Sequence, residues 1–133
     1  MASKRAEATK AEFNVLKALW RLKQGTVAEE KQVCAELTGT EPAYTTVMTL
    51  LGRLEAKGLV KADKARQPFV YKPKFKEASV LKSRLREFID TVFEGSASEL
   101  VLRLVEDEAL SPEDLKRIEA KIAAREAAAK EAK

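Results

Sequence analysis

The chain reads as mainly α-helical: a winged helix-turn-helix of three helices and a β-hairpin wing, followed by an all-helical arm. Three observations predict this. Apolar residues recur at helical spacing in three short segments up to about Lys57, then alternate with period two over Leu59–Asp63 and Phe69–Lys72, then return to helical spacing beyond Lys74. With 133 residues there is room for one compact domain and an appendage, not for two full-sized domains. The expected organisation is a winged-helix domain over 9–73, a helical dimerisation arm over 74–123, and a helix-prone tail over 124–133 that frays.

The first helix is announced by Thr9 with Glu12, the spacing of a capping box. Phe13, Val15, Leu16, Leu19 and Trp20 form its apolar stripe, and Gln24-Gly25 ends it, the glycine being read as a left-handed C′ residue. Thr26 and Glu29 repeat the capping box before a short helix carrying Val27, Val33, Cys34 and Leu37, which stops at Thr38-Gly39. Glu41-Pro42 sets a turn, since a residue before proline is pushed out of the helical region. A third helix then runs from about Ala43 to Lys57, with Gly58 as its stop. The two extended runs that follow are separated by Lys64-Ala65-Arg66-Gln67-Pro68, a hairpin with a basic tip, and Pro73 closes it.

In the arm, Val80, Leu81, Leu85, Phe88, Ile89, Val92 and Phe93 mark one amphipathic helix stopped by Gly95. Ser96 with Glu99 reads as a third capping box, opening a helix that carries Leu100, Val101, Leu102, Leu104 and Val105. Ser111-Pro112-Glu113-Asp114 is a strong start for the last helix: a cap, proline at the first position, and acids against the macrodipole. Leu115, Ile118 and Ile122 continue it.

Composition narrows the chemistry. Net charge is +4, unevenly spread: through Pro73 there are thirteen Lys and Arg against eight Asp and Glu, and from Lys74 on twelve against thirteen. The positive surplus therefore lies in the half that carries the wing, where a polyanion can use it. Cys34 is the single cysteine and histidine is absent, so an intrachain disulfide and the usual nucleophile–base or metal constellations cannot be assembled. Cys34 falls within an apolar helical pattern and is read as a buried thiol. No glycine-rich phosphate loop is present. The acids at Glu106-Asp107-Glu108 and Glu113-Asp114 flank a helix start, where capping explains them better than a magnesium site. No enzyme activity, cofactor or metal is expected. No apolar run approaches a membrane span of about 18 residues, and MASKRAEATKAE has no signal-peptide core. A cytoplasmic setting is expected.

On a helical wheel of the third helix, Val47, Leu50, Leu51 and Leu54 fall together. Thr45, Thr46, Thr49 and Arg53 fall opposite, with Met48 and Gly52 beside them and Tyr44 at the start. Solvated faces usually carry Glu and Lys, whereas three threonines in five positions have poor helix propensity. A helix lying in the major groove wants such a face: short hydroxyls reach base edges or phosphates, methyls meet thymine, and arginine binds guanine or a phosphate. Lys64 and Arg66 at the hairpin tip, with Lys61 and Lys72 nearby, are placed to clamp neighbouring phosphates.

At these residues the chain resembles the BlaI/MecI-type penicillinase repressor family. The segments are Leu19-Trp20, Gly25-Thr26-Val27, Ala43 to Leu51 (AYTTVMTLL), Arg53 to Val60 (RLEAKGLV), Phe69-Val70-Tyr71, Phe93 to Ser98 (FEGSAS) and Leu110 to Leu115 (LSPEDL), and the similarity spans about Thr9 to Ile122. The resemblance implies a repressor that acts as a homodimer on double-stranded operator DNA with dyad symmetry and TACA/TGTA-type elements. Tyr44, Thr45, Thr46, Thr49 and Arg53 match its reading helix. It also implies that the helices beyond Lys74 pair between copies, with Leu81, Leu85, Phe88, Val92, Phe93, Leu100, Val101, Leu104, Leu115 and Ile118 as the apolar dimerisation residues. In some members a membrane sensor-protease cuts the arm at an Asn-Phe bond. Arg103-Leu104 stands at the corresponding position here, which leaves an inducer or a sensor-protease as an open partner. The copper-responsive relatives carry paired C-terminal cysteines, which AREAAAKEAK lacks. The competing expectation is a winged helix used as a protein-interaction module without sequence-specific DNA binding.

Overall fold

The computed structural model describes residues 8–132. The first seven residues and Lys133, parts of the N-terminal segment and of the tail read above, lie outside the described residues. Three helices, α1 (Lys10–Leu22), α2 (Val27–Thr38) and α3 (Tyr44–Ala56), precede an antiparallel hairpin of β1 (Val60–Asp63) and β2 (Val70–Pro73). Then come α4 (Glu77–Val92), α5 (Ala97–Glu106) and α6 (Pro112–Glu131). The chain divides into two compact units, Met1–Lys82 and Ser83–Lys133, so α4 runs across the division.

The first unit is the winged helix. Both N-terminal capping boxes close: the Glu12 N–H donates to Thr9 Oγ1 while the Thr9 N–H donates to Glu12 Oε1, and Thr26 and Glu29 repeat the pattern. Val15, Leu16, Ala18 and Leu19 of α1, Val27, Val33 and Cys34 of α2, and Val47, Leu50, Leu51 and Leu54 of α3 form one buried core with Val60 and Tyr71. Phe13 and Trp20 are half-buried against that core and meet edge to face, with ring centroids 5.9 Å apart. Gly39 has φ +78°, a left-handed backbone that releases the chain from α2 towards α3.

Gly25 corrects the sequence reading. Its φ is not positive; the positive-φ residue after α1 is Lys23, at φ 75° and ψ −39°. Gly25 instead exchanges two backbone hydrogen bonds with Tyr71, of 2.9 and 2.8 Å, adding a one-residue third strand to the hairpin. A Cβ at this position would stand 3.0 Å from Leu22 Cδ1 and 3.2 Å from Glu29 Oε1. A side chain here would need Leu22 and Glu29 to give way by a few tenths of an ångström, and backbone handedness plays no part.

In the hairpin, Val60 pairs with Pro73, Lys61 with Lys72, Ala62 with Tyr71 and Asp63 with Val70. Alternation sends Val60 and Tyr71 into the core and leaves Lys61 and Lys72 exposed.

Along α4 to α6 one expectation needs correction. Ser96 caps α5 by accepting the Glu99 N–H at 3.2 Å, but only this forward half of the capping box forms. The helix-prone tail continues the last helix, α6 running through Glu131. Alanine, glutamate, lysine and arginine are among the best helix formers, and they extend a helix that already has a closed capping box at Ser111 and Asp114 and proline in its first turn.

Candidate nucleic-acid interface

The core holds α3 by one side, so its other side faces outward. Val47, Leu51 and Leu54 are fully buried and Leu50 nearly so, whereas Tyr44, Thr45, Thr46, Met48, Thr49, Gly52 and Arg53 are all exposed. At 3.6 residues per turn, Thr45, Thr49 and Gly52 run down the centre of the outward face, and Thr46 and Arg53 share one edge of it. No acid stands among these residues. Tyr44 and Met48, at 46% and 45% exposure, are large apolar groups on the same free surface. A Cβ added to Gly52 would meet nothing within 4 Å, so no intrachain contact requires glycine there.

The wing tip stands beside the end of α3, because Lys64 Nζ lies 3.5 Å from Glu55 Oε2. The same ammonium sits 6.0 Å from the centre of the Phe69 ring. Asp63 Oδ1 accepts the Ala65 N–H at 3.2 Å, an Asx-type turn that shapes the tip and leaves Arg66 exposed. The sequence-predicted reading helix and basic tip thus belong to one unit and approach each other at Glu55 and Lys64.

Two charged groups escaped the sequence reading. Glu12, seen only as a capping residue, is almost wholly buried and forms an ion pair with Lys57 at 2.5 Å. Burial pushes its carboxyl up. The Lys57 ammonium, the Thr9 N–H and the Arg53 charge together outweigh that and hold it below its ordinary range. Glu30 is fully buried on α2, and neither carboxylate oxygen has a hydrogen-bond partner. Burial, helped by the Glu29 charge, pushes it up to about 8. Cys34, one turn on, is raised to about 11 by burial and by Glu30, which suits an inert thiol. Their burial was not legible because Glu12 and Glu30 look like ordinary acids of helix first turns.

The predicted dimerisation residues lie on α4, α5 and α6, with Phe93 in the turn just after α4. Leu81, Leu85, Phe88 and Val92 on α4, Val101 on α5, and Leu115 and Ile118 on α6 are exposed; Phe93, Leu100 and Leu104 are half-buried. Phe88 and Phe93 meet edge to face at 5.8 Å. Leu102, Val105 and Ile122 are exposed apolar residues in addition. Ile89 is the buried member of α4. No described helix is long and apolar enough to cross a membrane, and no group of three or more His, Cys, Asp or Glu among the described residues is placed to hold a metal ion.

A three-helix core, a hairpin locked to it at Gly25 and a helix with an acid-free outward face define a winged-helix protein of the DNA-binding transcriptional regulators. Residues 8–124 match the penicillinase repressor family, and the chain belongs to it. The penicillinase repressor of Bacillus licheniformis is 28% identical over 109 residues, covering 81% of this chain and 83% of that protein. The methicillin resistance regulatory protein MecI of Staphylococcus aureus strain N315 is 28% identical over 121 residues, 89% of this chain and 94% of the relative. The solved hsRosR-S4 complex superposes with a TM-score of 0.53 at 23% identity, over 80% of this chain and 94% of the other, a likeness of fold. The family is one of transcriptional repressors, not of enzymes.

Proposed function

We propose that this repressor acts as a homodimer on a dyad-symmetric operator, each copy laying the outward face of α3 in the major groove of one half-site. Thr45, Thr46, Thr49 and Arg53 read bases or grip phosphates, Tyr44 and Met48 pack at the groove edge, and Lys64 and Arg66 hold the flanking backbone. The winged-helix domain is residues 9–73, the arm is 74–123, and the setting is the cytoplasm, where operator DNA lies. The observation that carries the reading is the contrast across α3: one side closed by core leucines and valine, the other exposed, hydroxyl-rich and free of acids.

The arm supplies the second copy. Its exposed apolar residues on α4, α5 and α6 are more than a lone chain leaves in water without consequence, and each 100 Å2 covered by a partner contributes about 2.5 kcal/mol. A matching surface on an identical chain is the simplest cover, because a two-fold interface is self-complementary. Selection of bound sites from random duplex DNA tests the whole reading. Two inverted half-sites at a fixed spacing are expected; a single non-repeated motif, or no enrichment, overturns it.

A further inference from the structure

Behind the wing tip lies a cleft of about 390 Å3 lined by Gln24, Lys61, Ala62, Asp63, Lys64, Arg66, Val70 and Lys72. It follows from the sheet's registers. Lys61 and Lys72 are direct cross-strand partners, and both are exposed. The bridge between Gly25 and Tyr71 is antiparallel, so it sets Gln24 beside Lys72 on the far edge. Across the outer face of the three strands the order is therefore Lys61, Lys72, Gln24: two ammonium groups and an amide in one row.

Like charges directly opposite on a sheet oppose pairing. No ion pair within the described residues offsets them: neither Lys61 nor Lys72 takes part in one, and the same holds for Arg66. Lys64 is answered by Glu55 across to α3. Asp63, the one acid in the cleft, has an oxygen occupied by the Ala65 N–H. Three cations thus face a concave, polar space at the small end of the range of ligand sites, about 300–1,000 Å3.

From this geometry we infer that the outer face of the wing binds the phosphate group of a small phosphorylated molecule. Lys61 and Lys72 bridge its oxygens, Gln24 donates from the side, and Arg66 closes the rim. A recess of this volume is large enough to take a discrete phosphorylated ligand. The site stands on its own geometry; its consequence rests on the repressor reading. Filling it cancels positive charge in the wing, so an occupied repressor holds DNA less tightly.

Pyrophosphate is the probe, titrated calorimetrically into the full chain with ionic strength held constant by sodium chloride. Saturable binding of one equivalent per chain is expected, weakened about tenfold or more in Lys61→Gln/Lys72→Gln and unchanged in the arm variant Lys121→Gln/Lys130→Gln. Absence of saturation, or equal weakening in the arm variant, overturns the site. In a parallel arm, pyrophosphate at the same ionic strength displaces labelled duplex DNA from the wild-type chain. Binding without displacement overturns the regulatory consequence. If the lysine substitutions weaken duplex binding while pyrophosphate never binds, the lysines serve DNA phosphates and the small-ligand site is wrong. A chain that takes pyrophosphate but no duplex at all would sink the repressor reading and leave the site standing.

Discussion

Lys57, the residue that ends α3, reaches across the core to Glu12 in the first turn of α1 and pairs with it at 2.5 Å. The Glu12 side chain is nearly inaccessible and the Lys57 side chain only one-fifth exposed. The bond therefore fixes the C-terminal end of the proposed reading helix to the first turn of α1. Removing one partner of a buried pair leaves an uncompensated charge. Lys57→Met is expected to destabilise the winged helix by about 3 kcal/mol, read from urea unfolding. Because the Glu12 carboxyl is held below its ordinary range, its contribution is present above that range and is lost as pH falls through the lowered value. The acid limb of the stability profile should flatten in Lys57→Met.

Glu30 acts in the opposite sense. Its carboxyl is raised from 4.5 to about 8, so folded chains keep the proton while unfolded chains lose it. The stability it permits is full below pH 4.5 and declines as pH rises to about 8, above which the loss is complete. Glu30→Met removes both the titration and the unpartnered oxygens. It should raise stability at pH 8 by an amount on the order of a few kcal/mol and make the profile flatter between pH 5 and pH 8. Unfolding midpoints that keep the wild-type slope across this window would contradict the burial of Glu30.

These two acids also mark where the sequence stops being readable. The period of the apolar residues placed α1 to α3 and the hairpin, because that pattern is imposed by the core itself, and it placed α4 to α6 as well, although nearly all of their apolar residues are exposed in the single chain. The outward face of α3 was legible for the same reason: once Val47, Leu50, Leu51 and Leu54 are inward, Thr45, Thr49 and Arg53 have nowhere else to point. Glu12 and Glu30 were not legible as buried, since their positions in first turns already have a sufficient local explanation. Gly25 was misread likewise. A glycine after a helix fits a left-handed cap, and only the Tyr71 pairing, 46 residues away in sequence, shows that it is a strand contact. The indole N–H of Trp20 donating to the Phe75 carbonyl at 2.9 Å is another long-range tie with no local signature.

Gly52 separates folding from binding. Nothing in the chain lies within 4 Å of where its Cβ would be, so Gly52→Ala should stabilise the helix by about 1 kcal/mol. If DNA approaches α3 closely at this point, the same substitution weakens operator binding. The expected pair of results is a higher Tm with a lower DNA affinity. A higher Tm with unchanged affinity would place Gly52 outside the contact.

Contacts to bases and contacts to phosphates differ in what they do to salt dependence. Arg53→Ala and Thr46→Ala should each weaken operator binding by about 1–3 kcal/mol and relax the preference at one position of the half-site. Lys64→Ala and Arg66→Ala should weaken all duplexes alike and reduce the slope of log affinity against log salt by about 1 each. Fluorescence anisotropy on the selected site and on a scrambled duplex distinguishes the two patterns. Unchanged operator affinity in Arg53→Ala would show that the wrong side of α3 has been assigned to the groove.

The arm is tested most cleanly at residues that are exposed in the single chain. Leu85 is 53% exposed and Val101 47%, so an aspartate at either position has water to face and the helices themselves should persist. In a dimer that covers these positions, each substitution would bury an unpaired carboxylate, whose cost exceeds what the remaining apolar contact returns. Leu85→Asp and Val101→Asp are therefore expected to sediment as monomers with unchanged far-ultraviolet circular dichroism. Their binding to a two-half-site operator should fall sharply, while binding to a single half-site changes little, because linking two reading helices is what multiplies affinity. Dimers that persist in both variants would mean that the two copies meet through some other surface.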